Sequence, residues 1–303
     1  MSANAATVGE LLHRAAAEFE AAGIVFAHGV ADGRDEAAAI IYHVLGLRHD
    51  DPSAYGRRLS GDERQRCEAL LARRIVERQP AAYLLGETWF AGLPFCVDRR
   101  VLVPRSPFAE LIETRFAPWL VLPDQPRILE LGTGSGCIAI ACALTFPGSE
   151  VLATDISADA LAVARRNVER HGAGGQVRLL QADLFNGVAG RFDLIISNPP
   201  YVPDGDLVDM PAEFGWEPLG ALAGGTDGLD LVRRIVGGAG AFLSPGGWLA
   251  VEVGGGIAAL EAAFPRVPFT WPEFERGGDG IALVAAGDLP GDNAPPGCGA
   301  RDE

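Results

Sequence analysis

Residues 127–141 read RILELGTGSGCIAIA, a short apolar strand followed by a glycine-rich turn and the start of an apolar helix. Glycine permits a sharp turn and a close approach of the backbone to a ligand because it has no Cβ atom. Gly132, Gly134 and Gly136 follow the spacing G-x-G-x-G, and Cys137 stands where the dinucleotide fingerprint requires a glycine. The stretch therefore predicts a strand, a ligand-binding turn and a helix, with a ligand-free tight turn as the alternative.

Acidic residues follow this turn at the ends of two further predicted strands. The first strand ends at Asp155, roughly 20 residues past the glycines, where a carboxylate can accept hydrogen bonds from both ribose hydroxyls of an adenosine. The second is followed by Asp183, which can accept from an adenine amino group, with Leu184 or Phe185 against the ring. A helix or turn cap is the alternative role for Asp183.

The next predicted strand leads into the segment Asn198-Pro199-Pro200-Tyr201. Because Pro199 keeps Asn198 out of the α region and neither proline has an N–H, the segment offers carbonyl oxygens and one side-chain amide. Such a site suits a planar NH2 group, which needs two acceptors and an aromatic ring to lie against. We interpret all four residues as catalytic, and a strand-ending Pro-Pro turn is the alternative.

The order of these elements predicts an α/β fold with a mostly parallel sheet. Strands alternate with apolar helices from residue 127 onward, including a helix after the N-cap Ser157 and a helix near residues 227–241. Ligands of open α/β sheets bind outside the carboxyl ends of the strands. Four successive strand ends therefore carry glycines, an acid, a second acid and an amide acceptor for one ligand site.

The composition disfavours a nucleic-acid substrate. The chain of 303 residues has a formal net charge of −15, and every basic residue is arginine. Residues 1–85 carry 12 acids and 10 arginines, and the remainder carries 28 acids and 15 arginines. Because binding to phosphates depends on Lys and Arg, we expect no direct nucleic-acid substrate and a partner that is basic. Plain solubility is the alternative reason for the charge.

The cysteines, the histidines and the hydropathy point to a cytoplasmic protein. The five cysteines lack C-x-x-C spacing, which predicts reduced thiols, and the five histidines are too scattered for a metal site. No apolar run is long enough to span a membrane, and no signal peptide opens the chain. We therefore expect no metal and no membrane partner.

The pattern along the chain predicts a small domain and a large one. Residues 1–85 show apolar residues at helical spacing and predict a helical substrate-recognition domain of four or five helices. Residues 86–104 predict a β-hairpin linker, and residues 105–286 hold the motifs described above. Residues 287–303 are rich in Gly, Pro and Asp, which predicts a disordered tail.

The order of helical domain, hairpin, glycine turn, Asp155 and Asn198-Pro-Pro-Tyr201 resembles the bacterial protein N5-glutamine methyltransferases. The resemblance covers nearly the whole chain. It implies a class I S-adenosylmethionine-dependent methyltransferase (Rossmann-like) domain, with the small N-terminal helical domain joined to it by the hairpin. One branch of the family modifies peptide-chain release factors, and the other modifies ribosomal protein L-three of the large subunit.

Two segments are similar to the ribosomal-protein branch. They are residues 101–112, VLVPRSPFAELI, and residues 267–280, VPFTWPEFERGGDG. The resemblance thus implies S-adenosyl-L-methionine as cofactor and a large-subunit ribosomal protein as substrate, free or in an assembly intermediate. The cofactor-binding residues expected on these grounds are Gly132, Thr133, Gly134, Ser135, Gly136, Asp155, Asp183, Leu184 and Asn198. Arg105 is left with three roles: holding the cofactor carboxylate, pairing with Glu110, or bracing the hairpin.

The residues suggest how such a transfer proceeds. If the Asn198 side-chain oxygen and the Pro199 carbonyl accept the two N–H groups of a glutamine amide, its lone pair can turn toward the methyl group. Orientation of this kind is worth up to roughly 7–11 kcal/mol. Tyr201 packs on the planar amide, and the sequence shows no strong base at this point.

The sequence leaves three alternatives. A release-factor methyltransferase would use the same chemistry, and a methyltransferase of exocyclic base amines would face the same planar NH2 group. The base methyltransferase predicts a basic groove, which the charge opposes. A non-catalytic ribosome-assembly factor that keeps the fold is the third, and the intact glycines, Asp155 and Asn198 argue against it.

Overall fold

The computed structural model describes residues 7–48 and 51–290. The first part of the chain is helical. Capping explains where its helices begin: Thr7 and Ser60 each form a capping box with the glutamate three residues later, and Asp32 caps the second helix. The helices are α1 (Val8–Ala21), α2 (Gly33–Leu45), α3 (Gly61–Glu77) and α4 (Ala81–Leu85). Their apolar faces enclose a core of their own that includes Leu11, Ile40 and Leu71.

A hairpin follows the helices. Its strands β1 (Glu87–Phe90) and β2 (Leu93–Cys96) are antiparallel and turn at Ala91 and Gly92, both with positive φ. The side chain of Asn167 binds both the N–H and the C=O of Cys96, at 2.7 and 2.9 Å. This pairing fixes the hairpin to the domain that follows, in which Phe90 and Phe95 are buried.

Six strands form the central sheet. They are β3 (Arg127–Leu131), β4 (Glu150–Asp155), β5 (Val177–Gln181), β6 (Phe192–Ser197), β7 (Leu243–Glu252) and β8 (Ile281–Ala285). Their order is β5-β4-β3-β6-β7-β8, and every neighbouring pair is parallel except β7 with β8. The prediction of a mostly parallel sheet is confirmed, and the antiparallel β8 was not anticipated. The order reverses at β3, so β4 and β6 flank it at the point where ligands bind in such sheets.

Helices cover both faces of the sheet. They are α5 (Phe108–Glu113), α6 (Cys137–Thr145), α7 (Ala158–Arg170), α8 (Asp230–Ala239) and α9 (Ile257–Ala263). One apolar core lies under α5, α6 and α7, and the other lies under α8 and α9. The near-continuous apolar runs of β3 and β6 follow from this arrangement, because both of their faces are buried.

The segment after β6 joins the helical domain to the sheet. Glu213 has no exposed side-chain surface, and its Oε1 lies 3.5 Å from Arg74 Nη1 and accepts a hydrogen bond from the Val25 N–H at 3.2 Å. Trp216 Nε1 donates to the carbonyl oxygen of Glu77 at 3.0 Å. A loop that begins at the strand end with Asn198 is thus anchored in the helical domain.

The prediction of a disordered tail from residue 287 starts that tail too early in the chain. Residues 286–288 form a single 3-10 turn, and Leu289 is buried in the core under α8 because β8 delivers it there. The rest of the predicted tail, residues 291–303 with Cys298, lies outside the described residues.

Candidate active site

The strand ends predicted to converge do line one cavity. This first cavity has a volume of about 440 Å³. Its lining includes nine of the predicted site residues: Gly132, Thr133, Gly134, Ser135, Asp155, Asp183, Leu184, Asn198 and Pro200. The structure places three others elsewhere: Gly136 and Pro199 are buried, and Tyr201 lines a neighbouring cavity.

The glycines of the turn have two different functions. Gly132 and Gly134 have φ values of 73° and 55°. A Cβ on either would have no heavy atom within 4 Å, so the backbone at both positions borders open space. Gly136 also has a positive φ, but a Cβ there would lie 3.2 Å from the Cβ of Ala164. The first two leave room at the turn, whereas Gly136 lets α6 approach α7.

Asp155 fastens the turn to the next strand. Its Oδ2 accepts from the Gly134 N–H and its Oδ1 from the Ser157 N–H, both at 2.8 Å. Burial raises the pKa of this carboxyl above its usual range. Each oxygen keeps a second lone pair, so the carboxylate can still accept hydrogen bonds from a diol in the first cavity.

Glu130 supports the same turn from below. Its Oε2 accepts from Thr133 Oγ1 at 2.5 Å and from the Ala139 N–H at 3.1 Å. Burial raises the pKa of the Glu130 carboxyl to about 8 and so favours its neutral form. Its position under the turn makes it a structural part of the site.

Residues 183–185, which follow β5 and were expected to contact an adenine ring, meet that expectation only in part. Asp183 Oδ2 accepts from Arg234 Nη2 at 2.8 Å, so one carboxylate oxygen is already engaged by a cation. Leu184 has a φ of 50°, a strained value for a branched residue, and it lines the first cavity. Phe185 was the alternative to Leu184 for contact with a ligand ring. It stacks on Phe242 instead, with the two ring centroids 4.7 Å apart.

The segment from Asn198 to Tyr201 connects two cavities. Ser197 donates from Oγ to the carbonyl oxygen of Leu131 at 2.8 Å, which fixes the end of β6 against β3. Asn198 and Pro200 then line the first cavity, whereas Tyr201 lines a second cavity of about 580 Å³. Arg105 and Ser106 line both, so the two cavities meet at these residues.

The second cavity lies between the helical domain and the sheet. Its walls come from segments within residues 27–31 and 105–110, from Tyr201, from Glu252 and Gly254, and from residues 276–279. Tyr201 is tightly enclosed there: a Cβ on Gly254 would lie 2.7 Å from its ring, and one on Gly228 would lie 2.3 Å from its carbonyl oxygen. Glycine backbone therefore lies against Tyr201 at two places, Gly254 at the ring and Gly228 at the main-chain carbonyl.

A buried carboxyl group holds the hydroxyl of Tyr201. Tyr201 Oη donates to Glu252 Oε1 at 3.0 Å, and Ser106 Oγ donates to Glu252 Oε2 at 2.5 Å. Burial raises the pKa of Glu252 to about 7, although Ser106, Tyr201 and the nearby Arg105 favour its charged form. No sequence signal had marked Glu252, which lies 51 positions after Tyr201.

Arg105 pairs with Glu217, and the predicted alternative with Glu110 is wrong. Two parallel hydrogen bonds of 2.6 and 2.8 Å join the guanidinium to Glu217, whose Oε1 also accepts from the Val103 N–H. Burial raises the pKa of Glu217, but the His28 ring 3.6 Å away and Arg105 outweigh it and lower the pKa to about 2. Glu110 is occupied elsewhere, because it accepts from the N–H groups of residues 275 and 276.

Sequence reasoning overlooked several residues that line the cavities. Ile156 is 69% exposed, which is unusual for isoleucine, and it lines the first cavity directly after Asp155. Residues 100–104 and 218–221 contribute further walls. Ile156 could have been found in the sequence as a bulky apolar residue directly after an acidic strand end. Residues 218–221 have no comparable sequence signal.

Residues 7–48 and 51–290 contain neither a cluster of metal-ligating side chains nor a membrane-spanning helix. No group of three His, Cys, Asp or Glu side chains in these ranges is arranged to hold a metal ion. Likewise, no helix in this part of the chain has the length and apolar character needed to cross a membrane.

Comparison with known proteins agrees with this geometry. Residues 116–212 match the methyltransferase small domain, and residues 10–86 match the PrmC N-terminal domain. The catalytic domain of hMettl16, solved with MAT2A 3'UTR hairpin 6, superposes with a TM-score of 0.51 at 18% identity, covering 76% of this chain and 85% of that one. At this identity the likeness concerns the fold alone, and it confirms the predicted class I methyltransferase fold.

The curated relatives are much more similar. The ribosomal protein uL3 glutamine methyltransferase of Xanthomonas campestris is 47% identical over 93% of this chain and 92% of its own length. Those of Bordetella pertussis and Francisella tularensis are 44% and 41% identical, over 93% and 94% of this chain and 96% and 92% of their own. The predicted branch is confirmed, and this chain belongs to the family of ribosomal protein uL3 glutamine methyltransferases.

Proposed function

We propose that this protein transfers the methyl group of S-adenosyl-L-methionine to the side-chain nitrogen of a glutamine in ribosomal protein uL3. The observation that carries the proposal is the path of one segment: Asn198 and Pro200 line the first cavity, and Tyr201 lines the second. A cofactor in the first cavity and a side chain entering through the second would meet at this segment.

The first cavity suits the cofactor. Gly132 and Gly134 leave open space where any other residue would place a Cβ, and Asp155 keeps acceptor capacity for ribose hydroxyls. Leu184 and Ile156 supply apolar surface for a purine ring, and Asp183 supplies an acceptor beside it. When bound, S-adenosylmethionine supplies an electrophilic methyl group on a sulfonium centre.

The substrate side depends on residues of this chain. The Asn198 side-chain oxygen and the Pro199 carbonyl accept the two N–H groups of the glutamine amide, and this orients its nitrogen toward the first cavity. Because the backbone nitrogens of Pro199 and Pro200 carry no hydrogen, no donor competes for the amide nitrogen here. Tyr201 borders the path by which the amide arrives. Orientation and hydrogen-bond acceptance together prepare the nitrogen for attack, and the amide proton lost on methylation passes to water.

The choice of uL3 follows from the relatives, each of which is named for that substrate. The formal net charge of −15 suits a basic ribosomal protein. Residues 27–31 of the helical domain border the second cavity, so that domain can contact the polypeptide around the glutamine. A cytoplasmic location, with free uL3 or an assembly intermediate as substrate, belongs to the same proposal.

The test uses purified protein, S-adenosylmethionine with a labelled methyl group, and unmodified uL3. We expect label on one glutamine of uL3, located by mass spectrometry, and none on unmodified release factors offered under the same conditions. Replacement of the acceptor in Asn198→Ala should lower kcat by about 100-fold, a loss comparable with removal of one oxyanion-hole donor. The exposed Asn186, outside both cavities, gives the matched control Asn186→Ala, which should keep full activity.

Three results would contradict the proposal. Label on release factors but not on uL3 would identify the protein as a release-factor methyltransferase. Label on neither, with the cofactor still bound in calorimetry, would point to an assembly role or a base substrate. Normal turnover by Asn198→Ala would remove the assigned acceptor, whatever the substrate.

A further inference from the structure

This inference rests on the proposed function and concerns Glu252. Its neighbour Val251 pairs with Ser197 across β7 and β6, so Glu252 follows at the level where Asn198 leaves the sheet. Glu252 is only 4% exposed, yet it borders the second cavity beside Tyr201 and Ser106. A carboxyl group buried next to the substrate path needs an explanation beyond folding, because burying a charge costs stability.

The hydrogen bonds of Ser106 have a defined direction. The Phe108 N–H donates to Ser106 Oγ at 3.1 Å, so Oγ is an acceptor on that side. The Ser106 proton is then free to point at Glu252 Oε2, 2.5 Å away. Ser106 therefore occupies one oxygen of the carboxyl group as a donor and leaves Oε1 to Tyr201.

The hydrogen bond between Tyr201 and Glu252 can run in either direction. If Glu252 is ionised, it can only accept, so the Tyr201 hydroxyl proton points toward Oε1 and the lone pairs of Oη are available to the cavity. If Glu252 carries a proton on Oε1, that proton donates to Tyr201 Oη. The Tyr201 proton must then turn away, toward the cavity.

Other charged groups near Glu252 do not take over this role. Arg105 is held by Glu217 through two hydrogen bonds. Arg276, which lines the same cavity, is paired with Glu113 and Glu110. Asp279 also lines the cavity but is exposed. Glu252 is thus the buried acid in contact with the Tyr201 hydroxyl.

We propose that Glu252 is a positioning residue that orients the Tyr201 hydroxyl, so that its oxygen faces the second cavity as an acceptor for a main-chain amide N–H of the substrate polypeptide. The ionised form is the competent one, since the protonated form presents a donor to a group that itself donates. Because burial raises the pKa of Glu252 to about 7, the switch falls near neutral pH. Activity should therefore rise with pH through about 7.

The experiment measures kcat/KM for labelled methyl transfer to uL3 between pH 5.5 and 9 in four proteins: wild type, Glu252→Gln, Tyr201→Phe and the double variant. In the wild type we expect an acid limb near pH 7. Tyr201→Phe and Glu252→Gln should each lose that limb and fall about tenfold at pH 8. Since Glu252 acts through Tyr201, the double variant should be no worse than the poorer single variant.

Binding of S-adenosylhomocysteine by calorimetry is the control for folding, because neither residue lines the first cavity. The affinity should stay within about twofold in all four proteins. A persistent acid limb in Glu252→Gln, or losses in the double variant that multiply, would overturn the role of Glu252 alone. A wild type that labels no glutamine would overturn the proposed function, and this role with it.

Discussion

The first cavity and the second cavity share a border but are assembled differently. The first takes its predicted residues from one short stretch of chain, 132–200, in which each strand end adds one group to the same edge of the sheet. The second gathers residues 27–31, 105–110, Tyr201, Glu252 and 276–279, which are far apart in sequence. The local pattern of strand and turn therefore predicts the first cavity, whereas contacts between distant segments create the second.

Glu217 holds Arg105, which lines both cavities, and its replacement should have the largest effect of the changes considered, on stability. Glu217→Ala leaves the Arg105 guanidinium without its carboxylate, and breaking a buried pair in this way costs about 3–5 kcal/mol in the free energy of unfolding. Denaturant unfolding at pH 7 measures it. The exposed pair Arg127–Glu150 is the control, since Glu150→Gln should cost less than about 1 kcal/mol.

The pH dependence sharpens the same test. The pKa of Glu217 is lowered to about 2 in the folded state, so its stabilisation is present above its ordinary pKa. That contribution declines as the pH falls below the ordinary pKa and is lost by the time the pH has passed through about 2. The difference in unfolding free energy between the wild type and Glu217→Ala should therefore shrink in acid. Equal differences at pH 7 and at pH 3 would show that the ion pair is not what Glu217 contributes.

Gly254→Ala should damage the second cavity while leaving the first intact. The φ of 50° disfavours alanine, and the new Cβ would lie 2.7 Å from the Tyr201 ring, which must move. A misplacement of about 1 Å at a reacting group can lower the rate by about 100-fold. Kinetics of methyl transfer and calorimetry with S-adenosylhomocysteine should show a lower kcat at unchanged cofactor affinity.

The adjacent Gly255 provides the matched control. A Cβ on Gly255 meets no heavy atom within 4 Å, and its φ is not positive. Gly255→Ala should therefore keep wild-type kinetics. If Gly254→Ala weakened cofactor binding as much as turnover, the two cavities would not be separable in the way their construction suggests.

Gly134→Ala should have the smallest effect, and it should alter the first cavity and leave the second intact. Its Cβ would project into open space at the turn, where a cofactor would lie, and we expect about tenfold weaker binding of S-adenosylhomocysteine. Gly187→Ala is the control, since Gly187 shares a positive φ and open surroundings but lies outside the cavity. Equal losses in both variants would attribute the effect to backbone strain alone.

The sequence by itself determined the fold class and nine of the residues along the first cavity. Apolar runs that end in glycines, Asp155 or Asn198 indicate buried parallel strands and the points where those strands end. The predicted residues come together because the carboxyl ends of parallel strands lie at one edge of the sheet. Motif order also indicated the family, and the segments 101–112 and 267–280 resemble one branch of it. The sequence did not reveal that Asp183 pairs with Arg234, or that Leu289 packs in the core.

Only the tertiary structure decided what surrounds Tyr201. The partners of Tyr201 are Glu252, which closes a strand 51 residues later, and Gly254 beyond it, and no local pattern links either of them to Tyr201. The same holds for Arg105 and Glu217, 112 residues apart. Hydrogen bonds and burial act between atoms that are close in space, and the fold alone brings these groups together. Their ionisation follows from that burial and from the charged groups beside them, which a sequence pattern does not record.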